Sequence, residues 1–90
     1  MGKENAARIF VVEDHVLMQK MLNEFISQEA DLEVCATADS GEAALENLAQ
    51  ASPDLMLIDL SLPGVSGLDL ISSVKALYPQ LPCAILSAMA

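Results

Sequence analysis

Leu55-Met56-Leu57-Ile58-Asp59-Leu60-Ser61-Leu62-Pro63-Gly64 is the stretch that decides the fold. Its opening four apolar residues suit a short strand buried on both faces, the kind found inside a parallel sheet. Pro63-Gly64 marks the turn beyond it. Asp59 falls where the strand surfaces, and a carboxylate there is costly unless something uses it. A second run of the same kind, Ile9-Phe10-Val11-Val12, also ends in acid, at Glu13-Asp14.

Between and after these strands the periodicity changes. Apolar residues at 17, 18, 21, 22, 25 and 26 form a helical stripe over Val16 to Ile26, which places Met18 and Met21 in the core. Leu32-Glu33-Val34-Cys35-Ala36 opens with alternation and suits a more exposed edge strand. Asp39 with Glu42 reads as a capping box that starts a helix running to about Ala49. Ser66 with Asp69 caps another helix, through Leu77. Pro79 and Pro82 bracket a loop before a fourth strand, Cys83-Ala84-Ile85-Leu86.

The order βαβαβαβ predicts an α/β fold with a doubly wound parallel sheet, right-handed crossovers and helices on both faces. Ligands of such sheets bind outside the carboxyl ends of the strands, where the strand order reverses. Glu13, Asp14, Asp59 and Ser87 all lie at predicted carboxyl ends.

Ninety residues make one small domain, and 53% apolar content supports a folded core. Residues 1–7 read as a flexible segment ahead of the domain at 8–90. Four basic residues against thirteen acidic give a net charge of -9. Such a surface repels phosphate backbones, so direct nucleic-acid binding by this segment is not expected. No run approaches membrane length and the N-terminus has no apolar signal core, so a cytoplasmic setting is expected. Cys35 and Cys83 read as small buried thiols rather than a disulfide or metal pair.

Glu13, Asp14 and Asp59 offer only oxygen ligands, which favours Mg²⁺. Held close without a cation they repel one another, so Mg²⁺ should stabilise the assembled cup. With a cation present, Asp59 is the candidate nucleophile toward a phosphoryl group. Ser87, a hydroxyl at the end of the next strand, would donate to a phosphoryl oxygen, and the small Ala88 leaves room for it. His15 reads as a solvent-facing or capping residue, with no second His or Cys at ligand spacing. No Gly-rich phosphate loop follows the first strand.

These residues together resemble the receiver domain of two-component response regulators. The resemblance rests on Glu13-Asp14 after an apolar strand, Asp59 within Ile-Asp-Leu-Ser-Leu-Pro-Gly-Val-Ser-Gly-Leu, Ser87-Ala88, and Asp39-Ser40-Gly41-Glu42-Ala43-Ala44-Leu45. Val12-Glu13-Asp14-His15 is similar to the subgroup with a helix-turn-helix, DNA-binding output domain. The resemblance implies a flavodoxin-like sheet, here in the order 2-1-3-4. It implies that Asp59 accepts phosphate from a histidine kinase and that the domain is a signalling module rather than an enzyme acting on other substrates. Asp14 and Asp59 would ligate Mg²⁺ directly, Glu13 through water, and Ser61 through its backbone carbonyl. Ser87 would be the switch hydroxyl.

A complete receiver continues beyond its fourth strand into further helices and a fifth strand followed by a lysine that pairs with the phosphoryl group. None of Lys3, Arg8, Lys20 or Lys75 matches that lysine. These residues are therefore expected to belong to a longer protein. Alone, they are expected to form a homodimer or swap segments through the fourth strand, or to be unstable. Two other readings remain open: a receiver-like interaction module that is not phosphorylated, and a haloacid-dehalogenase-type phosphatase. The phosphatase calls for a second acid two residues past the nucleophile, where this chain has Ser61.

Overall fold

Short apolar runs alternate with amphipathic ones, and the computed structural model, which describes residues 5–86, turns that alternation into a three-layer arrangement. The elements are β1 (Ala7–Val12), α1 (Val16–Ser27), β2 (Leu32–Ala38), α2 (Gly41–Ala51), β3 (Leu55–Asp59), α3 (Gly67–Leu77) and β4 (Cys83–Leu86). All neighbouring strands pair in parallel, in the order β2-β1-β3-β4. This is the predicted doubly wound sheet. The order reverses between β1 and β3, so the carboxyl ends of these two strands flank the crevice.

The apolar runs are buried as their composition demands. Phe10 and Val12 of β1 and Met56 and Ile58 of β3 project to one face. There they meet Ala44, Leu48 and Ala51 of α2 and Leu70 and Val74 of α3. The opposite face carries α1, and here the stripe departs from expectation. No residue of α1 is fully buried: Met18, Leu22 and Ile26 are half-buried, whereas Leu17, Met21 and Phe25 are exposed. The stripe is wider than the contact α1 makes beside β2, so only one of its two i, i+4 rows reaches the sheet.

Two local details also differ from the sequence reading. β2 runs to Ala38 rather than Ala36, because a register shift passes from the Ile9–Val34 pair to Phe10–Ala36 and leaves Cys35 as the extra residue. The chain then spends Asp39 leaving the sheet, and Ser40 caps α2 in its place, its hydroxyl accepting the Ala43 N–H at 3.1 Å. Ser66 caps α3 as predicted, accepting from the Asp69 N–H.

Arg8 fixes the other end of the sheet. Its guanidinium donates to the Ala51 carbonyl at 2.6 Å, where α2 ends, and pairs with Glu33 of β2 at 3.2 Å. Its backbone N–H donates to the Asp54 carboxylate at 2.8 Å, and the Asp54 N–H returns a bond to the Arg8 carbonyl. A cation at a helix carboxyl terminus is favourable, and here it also ties β1, β2 and the entry to β3 together.

Gly67 sets how closely α3 approaches the end of β3. A Cβ there would lie 2.5 Å from the Asp59 carbonyl oxygen and 2.8 Å from Leu60 Cα. Gly67→Ala should therefore push α3 away, costing about 1–3 kcal/mol as an overpacking substitution. Ser66→Ala, which removes only the cap, should cost about 1 kcal/mol. Urea unfolding of both variants checks the values, and only Gly67→Ala should also shift the backbone amide resonances at Asp59 and Leu60.

Candidate functional site

Parallel pairing of β1 with β3 aligns Val12 with Ile58, so the residues that follow, Glu13 and Asp59, emerge side by side. Both are buried, at 2% and 4% exposure. Asp14 is half-buried, and its Oδ1 is enclosed without a hydrogen-bond partner. One donor atom each from Glu13, Asp14, Asp59 and His15 lies within 4.8 Å of the others. The three carboxylates were expected to converge. The imidazole was not.

Each group is held by a separate local contact. The Glu13 N–H continues the sheet ladder to the Ala38 carbonyl at 2.9 Å. Glu13 Oε2 accepts the His15 N–H at 3.0 Å and lies 2.9 Å from His15 Nδ1. The same ring nitrogen is 3.3 Å from Asp14 Oδ1. Gln19, one turn into α1, donates its side-chain amide to the Glu13 carbonyl. Asp59 Oδ1 accepts the Ser61 N–H at 3.0 Å, which fixes the carboxylate's orientation. Its second oxygen has no protein hydrogen bond among the described residues. Beyond Asp59, the Leu60 N–H bonds to the Leu86 carbonyl and carries the β3–β4 ladder one step further.

His15 does sit at the N-terminal boundary of α1 and is largely exposed, as a capping residue would be. Its side chain, however, makes no cap bond and turns back onto the acids. The hydrogen bond to Glu13, reinforced by the charges of Asp14 and Glu13, raises its pKa above the ordinary value of 6.5. The sequence signal was its place directly after the acidic pair, which spacing alone did not distinguish from a solvent-facing ring. Gln19 carried no signal beyond its helical position.

The donor set suits a hard divalent cation. Carboxylate oxygens dominate it, and an enclosed, unpartnered oxygen at Asp14 is what a cation would satisfy. A cleft of about 400 Å³ opens above the acids, walled on one side by Leu17, Met18 and Met21 and reached by Ser61. Ser87, predicted as the switch hydroxyl, lies outside the described residues. Cys35 and Cys83 are unbridged and half-buried rather than fully buried, on opposite edge strands. Partial burial pushes both thiols above the usual range.

Comparisons with known proteins agree with this geometry. Residues 9–90 match the response regulator receiver domain family. Among curated relatives, a protein-glutamate methylesterase/protein-glutamine glutaminase from Trichodesmium erythraeum is 34% identical over 82 residues. That alignment covers 91% of this chain and 23% of the relative. The transcriptional regulatory protein DegU from Brevibacillus brevis is 30% identical over 84 residues, covering 93% of this chain and 36% of DegU. The chain thus spans well under half the length of these relatives. The solved signal receiver domain of the response regulator NarL from Mycobacterium tuberculosis superposes with a TM-score of 0.87 at 28% identity. The superposition covers 96% of this chain and 69% of that one. The family match takes in both acidic strand ends and the turn beyond Asp59, and on it the chain belongs to the response regulator receiver domains.

Proposed function

We propose that this receiver domain accepts a phosphoryl group on Asp59 from a histidine kinase, in a Mg²⁺-dependent reaction that switches an output domain elsewhere in the protein. The observation that carries this reading is the convergence of Glu13, Asp14 and Asp59 at the ends of β1 and β3, with the enclosed Asp14 Oδ1 unpartnered.

In the proposed transfer, Asp59 Oδ2 forms the new P–O bond as the P–N bond of the phosphohistidine breaks. The imidazole leaves with the electron pair. The Ser61 N–H holds Oδ1, and Asp59 lines the open cleft. Asp14 and Asp59 would hold Mg²⁺ directly, with Glu13 acting through water and Ser61 through its carbonyl. Bound there, the ion would neutralise charge on the phosphoryl oxygens. Ser87 is proposed as the hydroxyl that meets the phosphoryl group; its chain neighbour Leu86 pairs with Asp59 in the β3–β4 ladder. The acyl phosphate adds negative charge and acceptor oxygens at the sheet end, which is the change a bistable output surface would read.

No helix among the described residues is long and apolar enough to cross a membrane. We place the reaction in the cytoplasm. Likeness to the transcriptional regulatory protein DegU favours a DNA-binding output, whereas the methylesterase relatives favour an enzymatic one. The dehalogenase-type phosphatase lacks its second acid, because Ser61 stands at that position.

Beryllofluoride, an acyl-phosphate mimic, added with Mg²⁺ should produce saturable amide shifts around Asp59 that Asp59→Asn abolishes. No saturable change would contradict phosphoacceptor function, leaving the unphosphorylated interaction module; steady turnover of phosphate esters would favour the phosphatase. Mg²⁺ at one hundred times its dissociation constant should raise unfolding free energy by about 2.7 kcal/mol. Asp14→Ala should remove most of that gain in a denaturant titration.

A further inference from the structure

We propose that His15 supplies a nitrogen ligand to the carboxylate cup, so that the site takes borderline divalent cations such as Mn²⁺, Co²⁺ and Zn²⁺ through Nδ1 as well as Mg²⁺ through oxygen. The inference rests on reading the cup as a cation site and adds its selectivity.

Geometry is the first support. His15 Nδ1 is 3.3 Å from Asp14 Oδ1, which accepts no hydrogen bond, and 2.9 Å from Glu13 Oε2. Ligands about 2.0–2.2 Å from a shared ion sit roughly 3–3.5 Å from their neighbours in the coordination shell. The ring nitrogen is thus already at ligand spacing from the one enclosed side-chain oxygen that, among the described residues, has no hydrogen bond.

The ring is also free to turn to an ion at little structural cost. It makes no cap bond to α1, and Glu13 Oε2 keeps the His15 backbone N–H at 3.0 Å when the side-chain contact is given up. With 70% of its side chain exposed, the ring would ligate through Nδ1 in the form that carries its proton on Nε2, giving up the Nδ1 contact to Glu13. Imidazole nitrogen favours Zn²⁺ and its neighbours in the first transition row, whereas Mg²⁺ gains little from it and holds its waters. An all-carboxylate cup would favour those ions less.

The chain contains one histidine, so a nitrogen signal from a bound metal has a single imidazole source. Pulsed electron paramagnetic resonance of the Mn²⁺-loaded protein, prepared with natural and with ¹⁵N-labelled histidine, should show a nitrogen coupling that changes with the label. It should vanish in His15→Ala and in His15→Asn, the second of which retains a helix-capping residue. Both variants should bind Zn²⁺ and Co²⁺ at least about tenfold more weakly, with Mg²⁺ affinity changed by less than about twofold. Mn²⁺ that binds, and is lost in Asp14→Ala, yet shows no histidine coupling would overturn the proposal and leave the oxygen cup intact. Equal Zn²⁺ affinity in the wild type and both variants would overturn it as well. Failure of both Mg²⁺ and Mn²⁺ to bind would overturn the cup and the proposal together.

Discussion

Mutual repulsion among carboxylates at the ends of two adjacent strands is the constraint around which this molecule is arranged. Parallel pairing of β1 with β3 leaves no freedom in the matter. Once Val12 stands opposite Ile58, Glu13 and Asp59 must emerge together, and Asp14 follows within reach. Two of the three acids are buried, where unpaired charge is most costly. The protein offsets part of that cost with backbone N–H groups, from His15 to Glu13 and from Ser61 to Asp59. Asp14 Oδ1 is left without such a donor. A folded chain that keeps this arrangement retains an anionic cup suited to a cation.

The rest of the fold serves to hold that end of the sheet rigid. α2 and α3 seal one face with small and branched side chains, and Gly67 lets α3 approach the backbone of Asp59 itself. At the opposite end, Arg8 links the end of α2 to β2 and the entry to β3. α1 is the less firmly packed layer. Leu17 and Met21 of its exposed row form part of the cleft wall.

Much of this is legible in the sequence itself. The doubly apolar runs at 9–12 and 55–58 announce central parallel strands, and acids at their ends announce a site, because both patterns are costly unless the structure uses them. Less legible was whatever depends on side-chain direction or on a local break in register. The bulge at Cys35 lengthens β2 and moves the cap of α2 from Asp39 to Ser40, a one-residue shift that a capping-box pattern does not resolve. The α1 stripe gave its helix correctly, yet periodicity did not say which of its two rows faces the sheet. His15 was placed near the site, but its rotamer, which brings Nδ1 onto Glu13 and Asp14, is set by tertiary contacts. Arg8 was unremarkable in sequence because its partners lie 25 and 43 residues away.

The central claim is that Asp59 carries the phosphoryl group, and chemical trapping tests it most directly. After incubation with a small acyl-phosphate donor and Mg²⁺, borohydride reduction converts an aspartyl phosphate to homoserine, which peptide mass spectrometry locates. Homoserine is expected at position 59, formed only when Mg²⁺ is present and absent from Asp59→Asn. Trapping at Glu13 or Asp14 instead, or no trapping at any acid under saturating donor and Mg²⁺, would contradict it.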